Sequence, residues 1–193
     1  MKSAAQRLIE DSICEIGLLA SPVSRDNYRR VWSRDSAMAG MAGWLHGNER
    51  IVDAWNQSLV SLAKGQSPTG AIPSNVQENS AVSYGSLVGR VDASTWWAWS
   101  VGILKGEGLL VQGPIWEQQL EDCFHFLESI EFNARGLSYV PLGGNWADEY
   151  VTQGYTLYDN VLKYAAIHNK DYSVVKTSLS GPRVAFSLYS NLI

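Results

Sequence analysis

Histidine and cysteine are scarce in this chain, with three and two among 193 residues. His46, His125 and His168 stand apart, with no second ligand at the spacing a metal or a nucleophile–base pair needs, so the sequence points to no metal and no cofactor. Cys14 and Cys123 are too few for a disulfide framework, and both fall in segments that read as helix, which fits reduced core thiols and a cytoplasmic setting. Positive charge is not in excess. The formal net charge is −4, and a nucleic-acid partner would want a basic face. No apolar run approaches the length of a membrane span, so no membrane partner is expected. Glu10, Asp11 and Glu15 interrupt any signal-peptide core near the N-terminus. Phosphate loops, nucleophile elbows and Cys-x-x-Cys pairs are missing as well.

Apolar residues and tryptophan are what the chain does have. Hydrophobic residues make up 46% of it and charged residues 18%, a globular composition, and there are eight tryptophans. The length is most simply one domain, 1–193, with a helical core over about 4–167 and an atypical tail over 168–193.

Periodicity predicts an all-α chain of six helices. Segment 4–19 places Leu8, Ile9, Ile13 and Ile16 on one face. Segment 36–46 is small and apolar on every side, which predicts a fully buried helix. Residues 49–65 are amphipathic again, 93–105 apolar nearly all round, and 114–130 amphipathic. A last helix is predicted over about 149–167, through Val151, Tyr155, Tyr158, Val161, Leu162 and Ala165. Long connections over 20–35, 66–92 and 131–148 alternate with short ones, the pattern of antiparallel helix hairpins. All three long loops should then open at one end of the array, where the inner helices begin. Loops of this length in a compact domain usually carry function. The segment LSYVPL, 137–142, suggests a short strand in the third loop.

Each long loop ends in a carboxylate beside tryptophan: VWSRDS with Trp32 and Asp35, GRVDASTWW with Asp92, Trp96 and Trp97, and GGNWADEY with Trp146, Asp148 and Glu149. Taken singly, Asp35, Asp92 and Asp148 read as helix caps or first-turn acids. Capping explains neither the adjacent indoles nor Arg34 and Arg90 close by. Aromatic walls with a few carboxylates and a guanidinium fork suit a carbohydrate. Ring faces pack the apolar C–H surface of a sugar, and the charged groups take its hydroxyls. Burial against tryptophan would also raise a carboxyl pKa, as glycoside hydrolysis requires of its acid. Tyr155, Tyr158 and Tyr164 at helical spacing read mainly as core, with Tyr155 a candidate to reach the site.

The ordered set YRRVWSRDSAMAG, GAIPSNV, GRVDASTWW and GNWADEYVTQGYTLYDN resembles the six-hairpin glycosidases. The likeness runs from about residue 25 to 167 and is nearest the amylo-α-1,6-glucosidase, glycogen-debranching-like group. Glucoamylases and neutral invertases are more distant. The resemblance implies an (α/α)6 toroid and inverting hydrolysis of α-glucosidic bonds. It assigns Arg34 and Asp35 to the hydroxyls of a terminal sugar, and the aromatic and guanidinium pattern itself adds Trp32, Arg90, Trp96, Trp146 and Tyr155 as candidate substrate contacts. The glucoamylase pattern puts the general acid at Asp148 or Glu149, whereas the neutral-invertase pattern puts it at Asp92. Asp148 is the favoured acid, with Asp92 as substrate ligand or alternative acid. A complete member carries about twice the helices read here and takes its catalytic base from the other half. The resemblance therefore implies an N-terminal half, completed by a second half or by another copy of the chain. A sugar-binding protein without turnover, a sucrose hydrolase and a helical scaffold in which the tryptophans only pack are the rival expectations.

Overall fold

The computed structural model describes residues 3–23, 27–86, 89–113, 116–147 and 149–170. Among these are six helices and five short strands, so helix dominates. None of these helices is long and apolar enough to cross a membrane.

Helix α1 spans Ala4–Asp11 and opens with a capping box, in which the Ser3 side chain and Gln6 satisfy each other's backbone amides. It stops well short of residue 19. Strands β1 (Ile13–Cys14) and β2 (Gly17–Leu18) form a tight hairpin instead. Ile13 and Ile16 fit a helical stripe, but Gly17 adopts φ +130° and packs directly on the backbone of Ser58. A side chain there would meet that backbone, so glycine and the bend go together. The hairpin is pinned from the opposite helix: the Leu18 amide donates to Ser58 Oγ at 2.8 Å, and Ser61 Oγ donates to the Ile16 carbonyl at 2.8 Å. Cys14 therefore lies in a strand, and only Cys123 in a helix.

Helix α2 spans Ser33–Leu45, three residues earlier than its predicted start, and α3 spans Glu49–Lys64. The two pack as an antiparallel hairpin in which Gly40 faces the Trp55 indole and Gly43 faces Ile51. Small residues on α2 thus serve close approach. That helix is not buried all round, since Met38 and Leu45 are exposed. Helix α4, Val91–Glu107, does meet the expectation of an inner helix: every residue from Val91 to Leu104 is buried. It ends at Gly108 in the left-handed conformation, and it packs against α2, α3, α5 (Trp116–Ser129) and α6 (Leu157–Lys170). The indole of Trp97 donates to the Leu59 carbonyl at 3.1 Å, locking α4 onto α3.

Helix α6 is Leu157–Lys170, so residues 149–156 are not helical and 168–170 extend the helix into the expected tail. Its true start is marked by Thr156, whose Oγ1 accepts the Asp159 amide and donates to the Asp159 carboxylate. Lys163, buried on α6, pairs with Glu131 and donates to the Gly136 carbonyl, fastening the third long loop at its start. The predicted strand in that loop reduces to one bridge, Val140 with Gly154. The first two long loops join in a small antiparallel sheet, β3 (Val31–Trp32), β4 (Asn75–Val76) and β5 (Val82–Ser83), set at the start of α2.

Candidate functional site

The first turns of α2 and α4 carry the acids that the sequence singles out. Neither Asp35 nor Asp92 is the cap itself: Trp32 and Arg90 hold those positions, and neither makes a side-chain capping bond. Both acids sit within the first turn, where the helix dipole favours negative charge. Ser33 Oγ donates to the Ala93 carbonyl at 2.7 Å, which brings the two helix starts side by side.

Arg34 bridges them. Its guanidinium lies 3.4 Å from Asp35 Oδ2 and 3.5 Å from Asp92 Oδ2. The Asp92 side chain is only 2% exposed, against 26% for Arg34. Burial is the main cause that lifts the Asp92 carboxyl to about 6, and the charge of Asp159 adds to it. Arg34, Arg90 and the Trp146 backbone amide pull the other way. Tyr158 Oη donates to Asp92 Oδ2 at 3.4 Å and accepts the Trp96 indole N–H at 2.8 Å. Burial, with Asp92 beside it, pushes that phenol above its ordinary range.

Above this polar floor lies a cleft of about 520 Å³, lined by Asn27, Tyr28, Trp32, Arg34, Asp35, Arg90, Trp146, Ala147, Glu149 and Tyr150. Trp32 and Trp146 form its walls, and the Arg90 guanidinium rests 5.8 Å from the Trp32 ring centroid. Tyr28 stands against Trp32 with centroids 6.5 Å apart, and the edge of Trp146 meets Tyr158 at 6.4 Å. Aromatic faces, two guanidinium groups and two carboxylates thus share one concave surface, which suits a neutral or weakly charged polyhydroxyl ligand.

Trp32, Arg34, Asp35, Arg90, Trp146 and Glu149 all come to the cleft, and Asp92 lies beneath it behind Arg34. Trp96 does not line it. Its indole is buried at 5.2 Å from Trp99 and serves Tyr158 from behind. Tyr155 does not line it either: half-exposed, it meets Tyr139 edge-on at 5.5 Å, because the chain is not yet helical there. Asp148 lies outside the described residues. The sequence reading did not place Asn27, Tyr28, Ala147 and Tyr150 at the cleft, nor Tyr158 and Asp159 below it. For the last pair the signal was available, since T-x-x-D at 156–159 marks a helix start and puts both residues in its first turn. Among the described residues no group of three or more His, Cys, Asp and Glu could hold a metal. No protein-family model matches the chain, and no curated protein is found to match it.

Proposed function

We propose that the chain is a glycoside hydrolase-type protein whose cleft receives the terminal sugar of an α-glucosidic oligosaccharide, in a helical-hairpin domain that forms half of an (α/α)6 toroid. The observation that carries the reading is the Trp32–Trp146 cleft, with Arg34 bridging the partly exposed Asp35 on its floor and the buried Asp92 beneath. Indole faces pack the apolar face of a pyranose, while Arg34, Asp35 and Glu149 take hydroxyls.

In this reading the proton donor is Asp92. A carboxyl of about 6 is still partly protonated in weakly acidic solution, as an acid for glycosidic oxygen must be. A sugar hydroxyl that draws Arg34 toward Asp35 would uncover Asp92. Its position four residues before Trp96 is the one the neutral-invertase resemblance assigns to the acid. Sucrose therefore belongs among the test ligands, and Asp148 remains the acid of the glucoamylase-like alternative. Inversion also needs a base across the sugar, with the carboxyls about 6.5–9.5 Å apart, and the resemblance assigns that base to a second half. The chain alone is thus expected to bind glucosyl ligands and to hydrolyse them slowly.

Calorimetric titration with maltooligosaccharides and sucrose, beside product analysis for the intact chain, D92N and D148N, tests the reading. The expected result is binding by all three and residual turnover lost in D92N. Turnover lost only in D148N would move the acid to the glucoamylase-like position. Binding without any turnover would make it a sugar-binding protein. No binding of any glucosyl ligand would overturn the reading altogether.

A further inference from the structure

A short run of the third long loop touches the starts of two helices at once. The Gly144 carbonyl accepts the Val91 amide at 2.7 Å, at the beginning of α4. Asn145 Nδ2 donates to Asp159 Oδ2 at 3.0 Å, in the first turn of α6. The Trp146 backbone amide acts on Asp92, holding its carboxyl down, while the Trp146 side chain lines the cleft. Asn145 is itself held, with its Oδ1 accepting the Ala147 amide at 3.0 Å and Thr152 Oγ1 at 3.2 Å.

Asp159 is fully buried, and its two oxygens are treated unequally. Oδ2 accepts from both Asn145 and Thr156, whereas Oδ1 has no hydrogen-bond partner among the described residues. Two donors on one oxygen favour a carboxylate over an acid. Asp92 is buried where α4 packs on α6, and Tyr158, the residue before Asp159, donates to its Oδ2 at 3.4 Å. Arg34 and Asp35 from α2, Arg90 at the start of its own helix, and Tyr158 and Asp159 from α6 are the charged and titratable groups around it.

We propose that Asp159 is a positioning residue for Asp92: the two buried carboxyls share a single proton in weakly acidic solution, Asp92 carries it, and Asp159 is the ionised member fixed by Asn145 and Thr156. This deepens the proposed function and rests on it for the use made of the proton. Left with Arg34 and Arg90 alone, Asp92 would surrender its proton more readily, since opposite charges favour the ionised form. The Asp159 charge opposes them from behind, out of reach of any ligand. Burial raises the Asp159 carboxyl too, and the bonds from Asn145 and Thr156 hold it back. The two acids then titrate as a pair, in steps that belong to both.

The test is a carbon-13 NMR titration of the full chain labelled at aspartate Cγ, with resonances assigned through D92N and D159N. The expected wild-type result is a shared two-step titration of both carbons. In D159N the Asp92 midpoint should fall by on the order of one pH unit. An unchanged Asp92 midpoint in D159N would overturn the proposal. If D159N fails to fold, the wild-type curves decide: independent single steps for the two carbons would overturn it equally. A shared titration in a chain that binds no sugar would uphold the pair while the proposed function fell.

Discussion

Arg34 on α2 reaches across to Asp92 on α4, its Nη1 lying 3.5 Å from the buried Oδ2, while Nη2 stays 3.4 Å from the partly exposed Asp35. Both contacts are longer than a good charge-assisted hydrogen bond, which runs about 2.7–2.9 Å. A guanidinium shared so loosely is ready to exchange one carboxylate for a ligand hydroxyl. Replacing Arg34 by methionine should weaken maltooligosaccharide binding at least about tenfold, an effect of about 1.4 kcal/mol read by calorimetric titration. Affinity unchanged in R34M would remove Arg34 from the ligand's contacts.

The Asp92 carboxyl also makes stability depend on pH. Its value in the fold is about 6, against 3.8 ordinarily, so the folded chain holds this proton more tightly than the unfolded one. The stability it contributes is complete below the ordinary value and is lost as pH rises through about 6. Urea unfolding of wild type and D92N at about pH 4 and about pH 8 should show D92N gaining on wild type by up to about 3 kcal/mol. A difference independent of pH would contradict the shift.

Trp146 is 49% exposed, and its indole is a wall of the cleft rather than part of the core. W146A should therefore weaken sugar binding by about tenfold, while the melting temperature falls less than for a fully buried tryptophan, because about half of the ring already meets solvent. Differential scanning calorimetry alongside the ligand titration checks both halves of this expectation.

Gly40 allows α2 to lie against Trp55, which is fully buried on α3. A methyl group at Gly40 would collide with the indole ring itself, not with a movable chain end. G40A should destabilise the chain by about 1–3 kcal/mol despite the better helix propensity of alanine, a loss visible in denaturant midpoints. A stabilised G40A would mean that the hairpin is looser than its packing indicates.

Where the sequence was legible, the reason was periodicity joined to loop length. The stripe through Ile51, Trp55, Leu59 and Leu62 and the all-round apolar run after Asp92 gave α3 and α4 nearly to the residue, because tertiary contacts agree with the local pattern there. The alternation of long and short loops anticipated the meeting of Trp32, Asp35, Arg90 and Trp146 at one cleft. It misled at the edges. Ile13 and Ile16 suit a helical face and a hairpin equally, and only Gly17 spoke for the bend. Val151 and Tyr155 kept a helical spacing through residues that are not helical, where the Thr156–Asp159 capping pair was the better guide. Asp159 itself looked like any first-turn acid. Its importance comes from Asn145 and Asp92, partners distant along the chain, which no local pattern reveals.

The run from Gly144 to Ala147 joins a wall of the cleft to Asp159 through the Asn145 amide, and to the first residue of the Asp92 helix through the Gly144 carbonyl. Protonation and ligand occupancy are then thermodynamically linked. A ligand that shifts the Trp146 backbone alters the pull of its amide on Asp92, and with it that carboxyl's hold on hydrogen ion. The same factor must operate in reverse, so the affinity of the cleft for its ligand varies with acidity around the Asp92 titration even if no ligand atom touches that residue.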